Sequence, residues 1–309
     1  QALAATCVAV GDKELGGIST CMGASCATCN ECQENLSGNC VATKNIPTQP
    51  LSFSESSLGD PKAHTFGNGA TYIGGWDGPW RSGFGKQEWP DGAQYEGEWY
   101  QDKAHGQGRF VHADGDAYDG QWAADQAHGT GTYFHADGSK YVGQWLDDKQ
   151  NGQGVEEWSD GAKYVGTYSA GKKDGHGSFT WADGSHYEGQ FRDNDISGEG
   201  VYMWADKRCF KGQWGKNKME GHGVFTWSDG RCYDGQYSND LKHGHGVFTW
   251  PDGRKYEGEW RQGKQHGQGI STSLDGGKKP GEWREGKRLR TGLSGAASGG
   301  EGPGSSPSI

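Results

Sequence analysis

The sequence contains no long hydrophobic run and few aliphatic side chains. No stretch of about 20 apolar residues occurs, so no segment is long enough to cross a membrane as a helix. Only 31% of the residues are hydrophobic, which is too little for the deep core of an ordinary two-layer domain. The chain also lacks an excess of positive charge, because its formal net charge is −10. This balance argues against nucleic acid as a partner and against general binding to anionic membranes.

Catalytic and cofactor motifs are missing as well. The sequence has no nucleophile elbow, no phosphate-binding loop and no kinase signature. Its Gly-x-Gly pairs have aromatic segments on both sides and no following helix, so they do not indicate a dinucleotide site. Most of the 11 histidines occupy repeat-related places, and we interpret them as structural. We therefore expect a protein that is not an enzyme and that uses no cofactor.

Glycine and large aromatic rings are abundant: the chain has 57 Gly, 14 Trp and 13 Tyr. Disordered chains are poor in aromatic residues, so this composition favours a thin, repetitive β structure. From Tyr72 onward an aromatic residue recurs every 23 residues, and Gly-x-Gly and Asp-Gly pairs recur at the same step. Because the periods follow one another without an insertion, we interpret this region as an array of about nine repeats.

Each period predicts two antiparallel strands. Tyr95, Gly97 and Trp99 share one parity and therefore one face, whereas Glu96 and Glu98 lie on the other. A five-residue turn leads to the second strand, and Asp-Gly then closes a two-residue type I′ turn. We expect the glycines to let neighbouring rings lie flat over the backbone. The predicted fold is all-β: an elongated single-layer antiparallel β meander, roughly 90 Å long, with two strands per 23-residue repeat and disordered or irregular termini.

Composition divides the chain into four parts. Residues 1–40 form a cysteine-rich segment, 41–65 a polar linker, 66–285 the array of repeats, and 286–309 a basic and then Gly/Ser-rich disordered tail. Since the chain starts at Gln1 rather than at Met, we expect a processed or incomplete product.

The pattern YxGxW, followed by GxG and DG at this spacing, resembles the MORN (membrane occupation and recognition nexus) repeat family. The resemblance covers residues 66–285 and implies a twisted single-layer ribbon without enzymatic activity of its own. It further implies a scaffold for other proteins in a cytoskeletal, ciliary or membrane-contact assembly, and we expect a cytoplasmic location with cytoskeleton or membrane association. Two alternatives stay open: a phosphoinositide-binding membrane module, and the regulatory repeat region of a phosphatidylinositol phosphate kinase.

In this interpretation the repeat-framework aromatics build the sheet and offer a binding face. Affinity for a partner comes from the aromatic face and from irregular loops, while the acidic face sets the preference for a partner. The open edges of the sheet make a homodimer a further expectation. The framework residues are Tyr95, Trp99, Tyr118, Trp122, Tyr141, Trp145, Tyr187, Tyr233, Tyr256 and Trp260.

Some positions depart from the repeat. Glu156 stands where other copies mostly have Phe or Tyr, and Tyr168 replaces a Trp. We interpret Glu156 either as a tolerated defect or as part of a notch that docks a partner. Trp80, outside the repeat positions, either packs over the end of the sheet or is an exposed anchor. Asp206-Lys207 replaces Asp-Gly, and because Lys is poorly suited to positive φ we expect another turn geometry there.

A dense basic cluster lies near the end of the array. Its members either solubilise the last strand or contact acidic lipid head groups or an acidic partner, since each cation near an anionic surface contributes about 1 kcal/mol. The cluster consists of Lys278, Lys279, Arg284, Lys287, Arg288 and Arg290.

The cysteines fall into two groups. In residues 1–40 three interpretations compete: a disulfide cluster, a zinc site with Cys26, Cys29 and Cys32 as weak candidate ligands, or the remnant of a longer cysteine-rich domain. Cys209 and Cys232 lie one period apart and therefore about 9.6 Å from each other. Because a disulfide needs Cα atoms within about 7 Å, we expect free thiols, which favour a reducing compartment.

Overall fold

A computed structural model describes residues 62–289. Every regular element in this range is a β-strand, and each strand pairs antiparallel with the next one along the chain, which confirms the predicted meander. No helix long and apolar enough to cross a membrane occurs between residues 62 and 289. The strands are β1 Lys62–Thr65, β2 Thr71–Asp77, β3 Trp80–Glu88, β4 Gln94–Tyr100, β5 Lys103–Val111, β6 Ala117–Ala123, β7 Gln126–Phe134, β8 Lys140–Leu146, β9 Lys149–Glu157, β10 Lys163–Ser169, β11 Lys172–Thr180, β12 His186–Arg192, β13 Asp195–Met203, β14 Cys209–Gly215, β15 Lys218–Thr226, β16 Cys232–Ser238, β17 Leu241–Thr249, β18 Lys255–Arg261, β19 Lys264–Thr272, β20 Lys278–Arg284 and β21 Lys287–Arg288.

Each repeat contributes one strand of 7 residues and one of 9, as in β4 and β5. The sheet extends slightly beyond the repeats at both ends. Residues 62–65, which the sequence analysis assigned to the linker, form β1 and pair with β2. Lys287 and Arg288, assigned to the tail, form β21 and pair with β20.

Two kinds of turn alternate along the sheet, and the sequence-based assignment of turn lengths was wrong. The turn after β4 has two residues with positive φ, Gln101 at 48° and Asp102 at 68°, as a type I′ turn requires. The Asp-Gly loop after β5 is longer. There Gly115 has a φ of 98° and donates its N–H to the carbonyl oxygen of His112 at 3.0 Å, and His112 donates to the carbonyl oxygen of Asp116. This three-residue loop needs the left-handed conformation only at its glycine.

The Asp206-Lys207 loop has the same geometry as the Asp-Gly loops. Lys207 has a φ of 67° and donates its N–H to the carbonyl oxygen of Trp204 at 2.9 Å. The expectation of another turn geometry was therefore wrong. It assumed two central residues with positive φ, whereas this loop requires one, and Lys occupies that conformation at a cost of roughly 1–2 kcal/mol.

A β-bulge in each repeat explains the first glycine of Gly-x-Gly. In β4 and β5 the register shifts between Gly97 and Glu98, and Gly106 has a φ of 59°. The Glu98 side chain closes the bulge by accepting the N–H of Gln107 at 2.9 Å. A register shift recurs in each repeat hairpin from β2–β3 to β18–β19. Such bulges increase the local right-handed twist of the sheet.

The second glycine of Gly-x-Gly makes room for a tyrosine ring. A Cβ atom on Gly108 would lie 2.3 Å from the Tyr95 hydroxyl oxygen and 2.6 Å from Cζ. The ring of Tyr95 thus lies directly on the backbone, and its hydroxyl donates to the carbonyl oxygen of Glu98 at 2.9 Å. This confirms the expectation that glycines let the rings lie flat. The core of the single layer is therefore this row of rings on one face.

Candidate functional site

The first strand of each repeat builds the aromatic face. In β4 the ring centroids of Tyr95 and Trp99 lie 4.9 Å apart in an edge-to-face contact. Trp122 of the next repeat packs against Tyr95 at 5.4 Å and donates its indole N–H to the carbonyl oxygen of Gly108 at 2.9 Å. Equivalent contacts recur along the sheet, so the rings form a row that links one repeat to the next.

The structure buries most of the framework residues that the sequence singled out. Their rings lie inside the aromatic row, where burial raises the pKa of the tyrosine hydroxyls, for example that of Tyr256 to about 12. Trp122 and Trp145 are only half-buried, because a groove opens beside them. The buried members are Tyr95, Trp99, Tyr118, Tyr141, Tyr187, Tyr233, Tyr256 and Trp260.

The groove has a volume of about 690 Å³ and extends over β3–β8 on the aromatic face. Ala104 and Ala127 line it, and both are buried. Beside these short side chains the rings of Trp122 and Trp145 are half-buried, whereas those of Tyr95 and Tyr118 are buried. The groove is therefore open where the array has its smallest side chains. The same position in the following repeats holds Gln150, Lys173, Ile196, Met219, Lys242 and Gln265.

Carboxylates from the two-residue turns line one side of the groove. They belong to Asp102, Asp125 and Asp148, each the second residue of its turn. The Asp125 carboxylate accepts the N–H of Ala104 at 2.7 Å, and the Asp148 carboxylate accepts that of Ala127 at 2.7 Å. These hydrogen bonds fix each turn against the preceding repeat. The result is a groove with an aromatic floor and an acidic rim.

Glu156 belongs to a polar cluster on the aromatic face. Its carboxylate lies 2.7 Å from the Lys173 Nζ and accepts the Tyr168 hydroxyl at 2.9 Å. Burial and the nearby Glu156 raise the pKa of the Tyr168 hydroxyl. The side chains of Glu156 and Lys173 are only 18% and 15% exposed. Glu156 is thus paired with Lys173 and Tyr168, and its role in docking a partner stays a prediction.

Trp80 is the first residue of β3 and lies opposite Asp77 in the first hairpin. Half of its surface is exposed (50%). That exposure leaves the indole accessible, and its role as a partner anchor stays a prediction.

The basic cluster is spread over both faces of the last strands. Lys278 and Arg284 share one face of β20, and Lys279 lies on the other. Arg288 in β21 stacks over the Trp283 ring at 5.4 Å and donates to the carbonyl oxygen of Pro280 at 2.8 Å. Arg290 lies outside the described residues. The structure therefore does not gather these cations on one surface.

Cys209 and Cys232 are each disulfide-bonded, so the prediction of free thiols was wrong. Strand β15 lies between β14 and β16, and its Thr226 is opposite Cys209 on one side and Cys232 on the other. The inference of a reducing compartment loses its basis. The weak metal candidates Cys26, Cys29 and Cys32 lie outside the described residues.

Metal ligands are not clustered in the described repeats. Between residues 62 and 289 no three His, Cys, Asp or Glu side chains are grouped so that they could hold a metal ion.

Sequence reasoning missed the position that opens and closes the aromatic face. The sequence contains a signal for this position. Steps of 23 residues from Arg81 reach the two groove alanines first, and later steps reach two lysines. The rings and glycines recur at fixed positions of the repeat, whereas the residue type at this position varies from repeat to repeat. It holds Arg81, Ala104, Ala127, Gln150, Lys173, Ile196, Met219, Lys242 and Gln265.

Comparison with solved structures found similar chains at low identity. The TCP10 domain of Danio rerio CPAP, in complex with a peptide of Danio rerio STIL, is 12% identical with a TM-score of 0.40, over 74% of this chain and 97% of that one. The TCP domain of Drosophila melanogaster SAS-4, in complex with a proline-rich motif of Ana2, is 12% identical with a TM-score of 0.28, over 69% and 96%. Virginiamycin B lyase from Staphylococcus aureus is 11% identical with a TM-score of 0.15, over 76% and 73%. These similarities are too weak to support a statement about function. A comparison with curated proteins found no match.

The MORN repeat profile matches consecutive segments of the chain. They are residues 72–94, 95–117, 118–140, 141–163, 164–186, 187–207, 210–230, 233–253 and 256–278. Together they cover well over half of the 309 residues and follow the observed strand pairs. Repeats of this type indicate a protein that interacts with other proteins or with membranes. The chain therefore belongs to the MORN repeat family.

Proposed function

We propose that this protein is a non-catalytic scaffold that binds another protein in the aromatic groove of β3–β8. The observation that carries the proposal is the groove itself, about 690 Å³ in volume and lined by rings and by the acidic rim. Half-buried rings that are rigidly held are well suited to protein recognition, because they add contact area at little entropic cost. We propose neither a cofactor nor enzymatic activity for the chain.

A peptide-display selection on the full chain tests this proposal. The groove-filled variant carries Ala104→Arg and Ala127→Arg, a residue type that the same position already accepts at Arg81. The control carries Ala113→Arg and Ala136→Arg, which add the same charge at the same 23-residue spacing in exposed Asp-Gly loops.

The expected result is a set of peptides that bind the wild type and the control but not the groove-filled variant. If every selected peptide binds all three proteins equally, the groove is not the binding site and the proposal fails.

A second candidate function is contact with an anionic membrane through the end of the array. Lys278, Lys279, Arg284 and Lys287 are exposed there, which favours this alternative, although they lie on two faces. Co-sedimentation with phosphoinositide-containing liposomes across a salt series tests it. Salt-sensitive binding that is lost on neutralising Arg284 and Lys287 supports it, and no binding at low salt rejects it.

For assembly and location we propose a homodimer through the open sheet edges and a cytoplasmic, cytoskeleton- or membrane-associated complex. The location rests on the family resemblance. The disulfide bonding of Cys209 and of Cys232 points the other way, because disulfides persist mainly in oxidising compartments. Light scattering after size-exclusion chromatography measures the oligomeric state. Imaging of a tagged chain together with thiol labelling in cells decides the compartment, and a secretory location would overturn the proposed one.

A further inference from the structure

Arg81 shows how the aromatic face holds a cation. Its guanidinium carbon lies 4.1 Å from the ring centre of Trp99 and 5.9 Å from that of Tyr72. Nε lies 3.2 Å from the Asp102 carboxylate, and Nη2 donates to the carbonyl oxygen of Asp102 at 2.7 Å. The cation is thus held by rings from two neighbouring repeats and by a turn aspartate. We call this set of rings with its turn residue a cation cage.

Two later repeats place a lysine in the equivalent cage. The Lys173 Nζ lies 4.9 Å from the ring centre of Trp158 and is paired with Glu156. Lys242 has no carboxylate at the position of Glu156, since Phe225 stands there. Burial, with a smaller effect of Arg231, lowers the pKa of Lys242. Its Nζ nevertheless lies 4.9–5.4 Å from the ring centres of Trp227, Tyr233, Phe248 and Trp260.

Two further cages are complete except for the cation, because an alanine stands where Arg81, Lys173 and Lys242 stand elsewhere. All of their members line the groove. The cage at Ala104 consists of Trp89, Tyr95, Phe110, Trp122 and Asp125. The cage at Ala127 consists of His112, Tyr118, Tyr133, Trp145 and Asp148.

We propose that these two unfilled cages bind two basic side chains, preferentially arginines, from one extended segment of the partner protein. This inference rests on the proposed function of the groove. In the cage at Ala104 the guanidinium lies over the indole of Trp122, and its N–H groups face Asp125. In the cage at Ala127 it lies over the indole of Trp145, and its N–H groups face Asp148. The chain's own Arg81, in its contacts with Trp99 and Asp102, shows that such a cage accepts this side chain.

Charge complementarity supports a basic occupant. The chain has a net charge of −10, and Asp125 and Asp148 are exposed at the rim. Exposed ion pairs stabilise weakly, so the rings supply most of the attraction and the carboxylates add orientation. A neutral side chain of equal length would keep some ring contact but lose both electrostatic contributions.

The spacing of the cages sets the spacing of the basic residues. One repeat advances about 9.6 Å for two strands. An extended segment in the polyproline II conformation advances about 9.3 Å in three residues and returns its side chains to the same side. The partner segment therefore presents its two arginines three residues apart.

Fluorescence polarisation with synthetic peptides tests the inference on the full chain. The probe has two arginines separated by two prolines, and two further peptides each replace one arginine by glutamine. We expect the two-arginine peptide to bind about tenfold more tightly than either glutamine peptide, from the loss of one cation–π contact. Equal binding by the glutamine peptides overturns the inference.

Protein variants complete the test. Ala104→Arg with Ala127→Arg fills both cages and reduces affinity about tenfold or more, whereas the Ala113→Arg and Ala136→Arg control stays within about threefold. Asp125→Asn keeps the acceptor for the Ala104 N–H, as Asn217 does for Ile196 at 2.7 Å, and so retains the fold.

We expect the Asp125→Asn variant to bind the two-arginine peptide several-fold more weakly. Its affinity should not change for the glutamine peptide that lacks the arginine of the Ala104 cage. A reduction that is equal for all peptides overturns the assignment of the cage.

The display selection separates failure of this inference from failure of the proposed function. Peptides that require an open groove but contain no pair of basic residues overturn the inference and leave the groove as a protein-binding site. Peptides that are all insensitive to groove filling refute both. Peptides with paired arginines that lose binding to the groove-filled variant support both.

Discussion

Replacing the second glycine of one Gly-x-Gly pair tests how the rings hold the sheet together. In β13 a Cβ atom on Gly200 would lie 2.3 Å from the hydroxyl oxygen of Tyr187 and 2.5 Å from its Cζ. The variant Gly200→Ala must therefore displace a ring that is fully buried. It also breaks the hydrogen bond from the Tyr187 hydroxyl to the carbonyl oxygen of Gln190, 3.0 Å long.

The expected loss follows from these two contributions. Exposing a large aromatic side chain costs about 1.5–3 kcal/mol, and losing the hydrogen bond costs about 0.5–1.5 kcal/mol. We expect Gly200→Ala to lower the free energy of unfolding by about 2–4 kcal/mol, measured by urea denaturation with tryptophan fluorescence. Gly215→Ala in β14 is the matched control. A Cβ atom there is 3.7 Å from its nearest neighbour and φ is not positive, so the change should be within about 1 kcal/mol.

A double-mutant cycle decides whether the ring is the cause. In a Tyr187→Ala background the ring is absent, so Gly200→Ala should cost less than about 1 kcal/mol. A cost that stays the same in that background would refute the argument, because the loss would then come from the backbone alone.

Further expected outcomes concern single groups on the aromatic face. Phe210 occupies a tyrosine position without a hydroxyl, so Phe210→Tyr should raise the free energy of unfolding by about 1 kcal/mol and Tyr233→Phe should lower it by about as much; equal unfolding midpoints for both would contradict this. Burial raises the pKa of Tyr256 to about 12, so its contribution to stability is complete below pH 10 and is lost as pH rises towards 12. Ultraviolet titration should show delayed tyrosine ionisation, and ionisation near pH 10 in the folded protein would exclude it. Glu156→Gln should destabilise the chain by about 1–2 kcal/mol, and most of that loss should disappear when Lys173→Met is added; additive effects would show that the pair is not coupled.

The period of rings and glycines was sufficient to predict the fold. Because Tyr95, Gly97 and Trp99 share a parity, they define one face, and the regular 23-residue step defines the meander. The turn types were not predicted correctly, since Asp-Gly is compatible with both a two-residue and a three-residue loop. Positive φ at Gln101 and Asp102 has no comparable sequence signal.

The candidate site was only partly predictable. The aromatic face followed from the repeat, but the groove depends on which residue covers the rings, and that position varies from Arg81 to Ala104 to Lys173. Whether a side chain there fills the space depends on geometry that the sequence does not contain. The disulfide bonding of Cys209 and Cys232 likewise has no signal in the repeat pattern.

The central claim is that the groove of β3–β8 binds a partner segment through its two unfilled cages. A crystal structure of the full chain with the tightest peptide from the display selection tests this most directly. We predict basic side chains of the peptide over the rings of Trp122 and Trp145, next to the carboxylates of Asp125 and Asp148. A peptide paired instead with an open sheet edge at β1 or β21, with the cages unoccupied, would contradict the account.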